Sequence, residues 1–427
     1  MTSRRISPYI AALTFLIAIA APAQPAPTGH SPLAQSFAYV TNSGSNSVSV
    51  IDIATNAVTE TIGVGSRPIG ISFTPTGSRL YEADSQSNTL SVIDATTNTV
   101  TATITVESYP QGLVLSPNRA HAYVSNTDSS SVSVIATATN TVTATVTVGF
   151  VPEGVAITPD GSHLYVASFA TDSVSVIDTA TNTVTATVSV GAEPIGVAIS
   201  PDGTRAYVAN NLAGSVSVID IATNTVIATI AMFQPVSIAI TPDGTRAYVT
   251  NSSLTFGSVS VIDTASNTIT ATVGVGNNPQ GLAITPDGAS AYVACFAANT
   301  VSVINTASNT VTSTIIVGTA PVGVAITPNP LNTTATSLSS SLNPSVYGEP
   351  VTWTATVTTS GSAAPAGTVI FKADGNTLGT GILNSSGVAT FTSSILRPGP
   401  HRITATYKGD ASNLASSSPI LTQGVKN

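Results

Sequence analysis

The stretch PIGVAISPDGTRAYVANNLAGSVSVIDIATNTVIATIAM, residues 194–232, decides the fold. It contains four short segments, 196–200, 206–210, 215–220 and 225–230, in which apolar and small polar residues alternate with the period of a half-buried strand. Pro201-Asp202-Gly203 separates the first pair, proline presetting φ and glycine accepting the positive φ of a tight turn. Asn224 does similar work between the last pair. The unit is therefore expected to be a four-stranded antiparallel meander.

The same unit recurs on both sides. A proline precedes an apolar strand at Pro68, Pro110, Pro152, Pro194, Pro235, Pro279 and Pro321, spaced 42, 42, 42, 41, 44 and 42 residues apart. Tyr39, Tyr81, Tyr123, Tyr165, Tyr207, Tyr248 and Tyr292 keep that beat, and so do the strand ends Asp52, Asp94, Ala136, Asp178, Asp220, Asp263 and Asn305. A period near 42 with four strands per unit is blade-like. The first unit lacks its opening strand, whereas 322–327 is an opening strand with nothing after it. Together they complete one blade, so the reading is all-β: a closed seven-bladed β-propeller whose shared blade removes open sheet edges at the seam. Gly70, Gly112, Gly154, Gly196, Gly281 and Gly323 open the innermost strands where backbones crowd the axis, with Ser237 the exception.

Tyr39-Val40-Thr41-Asn42 and Tyr248-Val249-Thr250-Asn251, with the near copies at 123–126 and 207–210, resemble the motif of the YVTN β-propeller repeat family. The resemblance covers about residues 36–329. It implies an exported or surface-layer-associated binding protein more directly than it implies an activity. Tyr81-Glu82-Ala83-Asp84 departs from the motif by placing a carboxylate where other repeats have valine.

After Pro330 the beat stops and all three lysines appear, Lys372, Lys408 and Lys426. Residues 36–329 carry 5 Arg against 17 acids, net −12, and residues 330–427 carry 5 Lys and Arg against 3 acids, net +2. Alternation at 351–358, 367–372, 387–392 and 401–407, with turns at Asp374-Gly375 and Arg397-Pro398-Gly399, suits an Ig-like β-sandwich over 330–427 with Trp353 as its core anchor. These segments resemble bacterial Ig-like repeats, which implies a spacer or adhesive module. At the other end, Arg4 and Arg5, the apolar run 9–20 and Ala21-Pro22-Ala23 read as a secretory signal peptide over 1–23, followed by a linker over 24–35. A retained N-terminal anchor is the competing reading, and the apolar run is short for a span. Past residue 30 no apolar run is long enough to cross a bilayer, so no membrane span is expected after signal cleavage. The expected location is secreted, periplasmic or at the cell surface.

Little catalytic chemistry is legible. Cys295 is the only cysteine and occupies the repeat position held elsewhere by Asn42, Asp84 or Ser168, which suits a packed side chain. His121 and His163 sit where other repeats have Arg79, Arg205 and Arg246, so they read as blade-surface residues, and no metal or cofactor is expected. A lysine-free propeller of net −12 argues against nucleic acid. The contrast lies between faces. The turns at Asp202-Gly203 and Asn224 are monotonous, whereas the loops on the opposite side vary from blade to blade. Variable aromatic and charged residues on rigidly held loops suit recognition. Arg67, Tyr109, Glu153 and Glu193 around the channel mouth are the expected contacts, joined by Gln111, Gln280, Phe233 and Gln234. The expected function is noncatalytic recognition of an envelope or extracellular protein or polysaccharide. The alternative is a lactonase-like hydrolase working in the channel through a carboxylate such as Glu153.

Overall fold

The computed structural model describes residues 36–328, 332–361, 364–410 and 413–427, so the expected signal peptide and linker lie outside the described residues. Seven four-stranded antiparallel sheets follow one another from residue 37 to residue 326. In chain order we number the blades 1 to 7 and their strands inner, second, third and outer.

Blade 1 takes its second, third and outer strands from Phe37–Asn42, Ser47–Asp52 and Ala57–Gly63. Its inner strand is Pro321–Ile326, paired antiparallel to the second strand with Tyr39 opposite Ala325 and Val40 opposite Val324. The two ends of the propeller thus form one sheet, as the two incomplete units require. Blade 5 shows the repeat pattern, with strands Pro194–Ile199, Arg205–Asn210, Ser215–Asp220 and Thr225–Ala231. Its second and third strands are buried on both faces because neighbouring blades cover them, while its outer strand is largely exposed. Apolar clusters fill every gap between blades; the one between blades 7 and 1 joins Tyr292, Val301 and Val303 to Ala38, Val40 and Ile51.

The geometry gives each letter of the repeated Tyr-Val-Thr-Asn a task. The tyrosine hydroxyl crosses to the next blade: Tyr39 donates to Asn98 Oδ1 at 2.5 Å, Tyr165 to Asn224 at 2.7 Å and Tyr248 to Asn309 at 2.8 Å. Those asparagines occupy the left-handed turn position expected of them, with φ of 51°, 52° and 53°. Valine packs in the interblade core. The threonine hydroxyl clips inner strands together, Thr41 Oγ1 accepting from Gly323 N at 2.7 Å and donating to the Ile69 carbonyl of blade 2 at 2.8 Å. The closing asparagine ties the second strand to the third, Asn42 Nδ2 donating to Ser47 Oγ at 3.2 Å and Ser49 Oγ at 2.9 Å. Cys295 stands at this last position, buried, with Sγ 3.5 Å from Ser302 Oγ.

Inner-strand glycines are required by contact. A Cβ on Gly70 would lie 1.8 Å from the Gln111 carbonyl oxygen, and one on Gly112, Gly154 or Gly196 would lie 2.2–2.4 Å from the matching carbonyl of the next blade. The inner strands therefore touch backbone to backbone around the axis.

From residue 334 onward the chain forms two sheets, one with Val351–Thr359 between Thr334–Ser340 and Val388–Ser393, the other built on Gly399–Tyr407, Thr368–Ala373, Asn376–Ile382 and Leu421–Lys426. Trp353, fully buried, anchors their shared core with Phe371 and Tyr407. The strands Thr334–Ser340, Asn376–Ile382 and Leu421–Lys426 add to those read from alternation. His401, which carried no structural expectation, pairs with Asp374 at 2.7 Å across the Asp374-Gly375 turn.

Candidate functional site

Each blade is entered through a residue held at positive φ just before its inner-strand proline. These residues are Arg67, Tyr109, Val151, Glu193, Gln234, Asn278 and Ala320, with φ between 36° and 58°. A residue before proline ordinarily avoids compact backbone, and positive φ is rare for a β-branched residue such as Val151. Two sets of bonds hold the conformation. The carbonyl of each accepts the N–H of the residue following the second strand of its own blade, as in Ser85 to Arg67, Thr127 to Tyr109, Phe169 to Val151 and Asn211 to Glu193, at 2.9–3.0 Å. In four cases the N–H donates to a side chain of the preceding blade 21 residues upstream: Arg67 to Asn46, Tyr109 to Asn88, Glu193 to Asp172 and Ala320 to Asn299, at 2.8–3.0 Å. The variable loops thus stand on a repeated, hydrogen-bonded ring.

Four of the eight expected contacts come together on one side of that ring. The Arg67 guanidinium of blade 2 lies over the Tyr109 ring of blade 3, 5.4 Å from its centroid, in cation–π geometry. Gln111, two residues beyond Tyr109, and Glu153 of blade 4 follow prolines at the equivalent position of adjacent inner strands. Both are partly exposed. Enclosure by the surrounding strands pushes the Glu153 carboxyl up to about 7, with the Gln111 amide and the Arg67 guanidinium pulling the other way. The corresponding residues elsewhere are Ile69, Ile195, Val236, Gln280 and Val322, so the inner ring is polar only at blades 3, 4 and 7. Arg67 is the one arginine of the propeller on the loop face; Arg79, Arg119, Arg205 and Arg246 all lie at inner-to-second-strand turns on the other side.

The remaining four expected contacts stand apart from this cluster. Glu193 faces Asp172, whose charge, after burial, raises the Glu193 carboxyl. Gln280 donates to Asn278 Oδ1 at 2.7 Å within its own blade. Gln234 is anchored through its carbonyl to Ser252 N, and Phe233 beside it is well exposed. Phe233 belongs to a different feature, which single loops did not reveal in the sequence. Phe150, Leu212, Phe233, Leu254, Phe256 and Phe296 are all exposed on the loops of blades 4–7. The loop face therefore has a charged sector at blades 2–4 and an apolar sector from blade 4 to blade 7.

The turn face is different. A concavity of about 500 Å³ between blades 4 and 5 is lined by Thr158, Asp160, His163 and Asp202. Its carboxylates are engaged in their own turns, Asp160 accepting from Thr158 and Ser162 and Asp202 from Ser200 and Thr204. Those bonds hold the Asp160 and Asp202 carboxyls below the usual range. Among the described residues, no three His, Cys, Asp or Glu side chains converge as metal ligands.

Comparison with known proteins agrees with this architecture. The YNCE-like β-propeller family matches residues 2–127, the seven-bladed β-propeller lactonase family matches residues 155–326, and the group 3 bacterial Ig-like domain matches residues 338–426. The first stretch includes Arg67, Tyr109 and Gln111, and the second begins just after Glu153. No curated protein matches the chain. Among solved structures, hydrazine synthase of Kuenenia stuttgartiensis is 24% identical, covering 62% of this chain and 91% of that one, with a TM-score of 0.58. A functionally unknown protein from Desulfotomaculum acetoxidans is 18% identical over 68% of this chain and 99% of that one, with a TM-score of 0.60. A 6-phosphogluconolactonase-like protein of Bacteroides uniformis has the same identity, coverages and TM-score. At these identities the likeness is one of fold. With its closed ring and these matches together, the chain is a seven-bladed β-propeller followed by a bacterial Ig-like domain.

Proposed function

We propose that this protein is an exported, noncatalytic recognition module of the cell envelope or extracellular space, binding its partner through the loop face of the propeller. One observation carries the reading: Arg67, Tyr109, Gln111 and Glu153, from three successive blades, gather at the channel mouth around the only arginine of that face. A planar guanidinium lying over an aromatic ring, with no carboxylate in ion-pair contact among the described residues, is suited to a carboxylate, sulfate or phosphate group of a partner. The apolar sector offers the same partner desolvated contact area alongside. The Ig-like domain serves as a spacer or adhesive module in this account.

The second reading, a lactonase-like hydrolase, is favoured by the family match over residues 155–326 and by the Glu153 carboxyl near 7. There Glu153 would take a proton from water as it adds to the lactone carbonyl and return it to the ring oxygen as the acyl–oxygen bond breaks, giving the hydroxy acid. Stopped-flow proton release with a panel of sugar lactones separates the two. Recognition without turnover predicts the background rate for both the parent and Glu153→Gln; catalysis predicts acceleration by the parent that Glu153→Gln abolishes.

A further inference from the structure

Blade 2 carries a carboxylate at a buried position where the other six blades carry valine. The residue after the repeat tyrosine is Val40, Val124, Val166, Val208, Val249 or Val293 elsewhere, each fully buried. In blade 2 it is Glu82, also fully buried. Its sheet neighbours are Ile71 and Ser91, and the gap it occupies between blades 1 and 2 is otherwise filled by Val48, Val50, Ile62, Leu80 and Ile93.

Asp84 lies two residues on, on the same side of the strand, with no solvent exposure either. Its Oδ2 accepts from Ser91 Oγ at 2.8 Å and Thr89 Oγ1 at 3.1 Å. Its Oδ1 and both carboxyl oxygens of Glu82 have no donor. Three orphaned acceptors in an apolar interface are costly, and two adjacent carboxylates cannot both remain charged there. A single proton removes the charge conflict and accounts for two of the three orphaned oxygens. With two hydroxyl donors already on it, Asp84 is the better-solvated anion, which leaves Glu82 as the acid.

We propose that Glu82 is held as a neutral acid donating to Asp84 Oδ1, so that the interface between blades 1 and 2 depends on one retained proton and loosens when that proton is released to solvent. Burial first, and then the Asp84 charge, push the Glu82 carboxyl well above the usual range. Of the other charged groups on these two blades, Glu60 accepts from Asn98, Arg79 and Asp94 sit together at the turn end, Asp52 caps a turn, and Arg67 lies with Tyr109; Asp84 alone acts on Glu82. The sign follows. A carboxyl raised in the folded state stabilises at acid pH, and that contribution is lost as pH rises through its folded value.

The test is thermal unfolding of the full chain from pH 5.5 to 9 in a Glu153→Gln background, which removes the channel-mouth carboxyl raised to about 7, with Glu82 retained and with Glu82→Gln or Glu82→Val added. The amide introduced by Glu82→Gln can donate to Asp84 without titrating, so the protein that retains Glu82 should lose several degrees toward pH 9 while both variants stay level. Infrared difference spectra of the unsubstituted chain against Glu82→Gln should show a protonated-carboxyl band at pH 7, a readout that survives if the valine variant folds poorly. An unchanged pH slope in Glu82→Gln, or no such band, overturns the proposal. So does a rise in melting temperature with millimolar calcium that Glu82→Gln abolishes, which would assign a cation in place of the proton.

Discussion

The hydroxyl of Tyr292, in the last blade, donates to Asn56 Oδ1 in the first at 2.8 Å. It is the same tyrosine-to-asparagine bond that links blades 1 and 2 through Tyr39 and Asn98, now spanning the join between the beginning and end of the repeat array. The ring is therefore locked twice at its seam, by the shared sheet and by this side-chain bond.

Removing the hydroxyl should separate bonded from unbonded copies of the motif. Tyr292→Phe leaves Asn56 Oδ1 without its donor and is expected to cost about 1–2 kcal/mol. Tyr207→Phe should cost less, because the Tyr207 hydroxyl makes no bond to the corresponding Asn267. Urea unfolding of the two variants beside the parent checks the difference; equal losses would mean that the bond contributes nothing at the seam.

Glycine contact at the axis predicts a second contrast. Gly70→Ala drives a methyl into the Gln111 carbonyl, and overpacking of that kind costs ~1–3 kcal/mol or prevents folding. Gly63→Ala, at an outer strand with open space around its Cβ, should be neutral or slightly stabilising. Melting temperatures of the two single variants read this directly.

Much of this was legible because it repeats. Pro68 through Pro321 and Tyr39 through Tyr292 set the blade count, and the missing first strand with the surplus last one implied the shared sheet that Tyr39 and Ala325 form. That Asn98 receives Tyr39 from the preceding blade was not read, although the signal was there: the same 59-residue separation recurs for Tyr81 with Asn140 and Tyr165 with Asn224. The left-handed ring at Arg67, Tyr109 and Val151 was less accessible. Those side chains share no chemistry, and their conformation is imposed by the N–H groups of Ser85, Thr127 and Phe169, which only folding brings near. In the Ig-like domain, Thr334–Ser340 (TATSLSS) carries too few apolar residues to announce a strand, and Asn376–Ile382 (NTLGTGI) is interrupted by glycines that fit under Phe391 and Thr390. Convergence of Arg67, Tyr109, Gln111 and Glu153 followed from adjacent blades, whereas the separation of Glu193 and Gln280 depended on local partners.

Threonine at the third motif position gives a further test. Thr250 Oγ1 accepts from Ser237 N at 2.9 Å and donates to the Gln280 carbonyl at 2.8 Å. Thr250→Ala should lose about 1–2 kcal/mol, since one change leaves a partly buried donor and acceptor unpaired. Hydrogen exchange at the Ser237 amide, faster in the variant, would localise the effect.

Glu153 predicts a pH dependence at the site itself. With its folded carboxyl raised from 4.5 to about 7, its contribution to stability is present at acid pH and is lost as pH rises through 7. Glu153→Gln should flatten that part of the stability profile, and a carboxyl-carbon NMR titration of the parent should show a midpoint near neutrality. A midpoint in the ordinary glutamate range would remove the enclosure described at the channel mouth.

Recognition through the loop face is tested most directly by quantitative capture from the envelope fraction of the producing organism. Residues 24–427 would be compared with a folded Arg67→Ala, Tyr109→Ala, Glu153→Gln triple variant and with Ala222→Lys on the turn face. The account predicts that the parent and Ala222→Lys retain the same protein or polysaccharide and the triple variant loses it. Equal capture by all three would contradict it and move recognition away from the channel mouth.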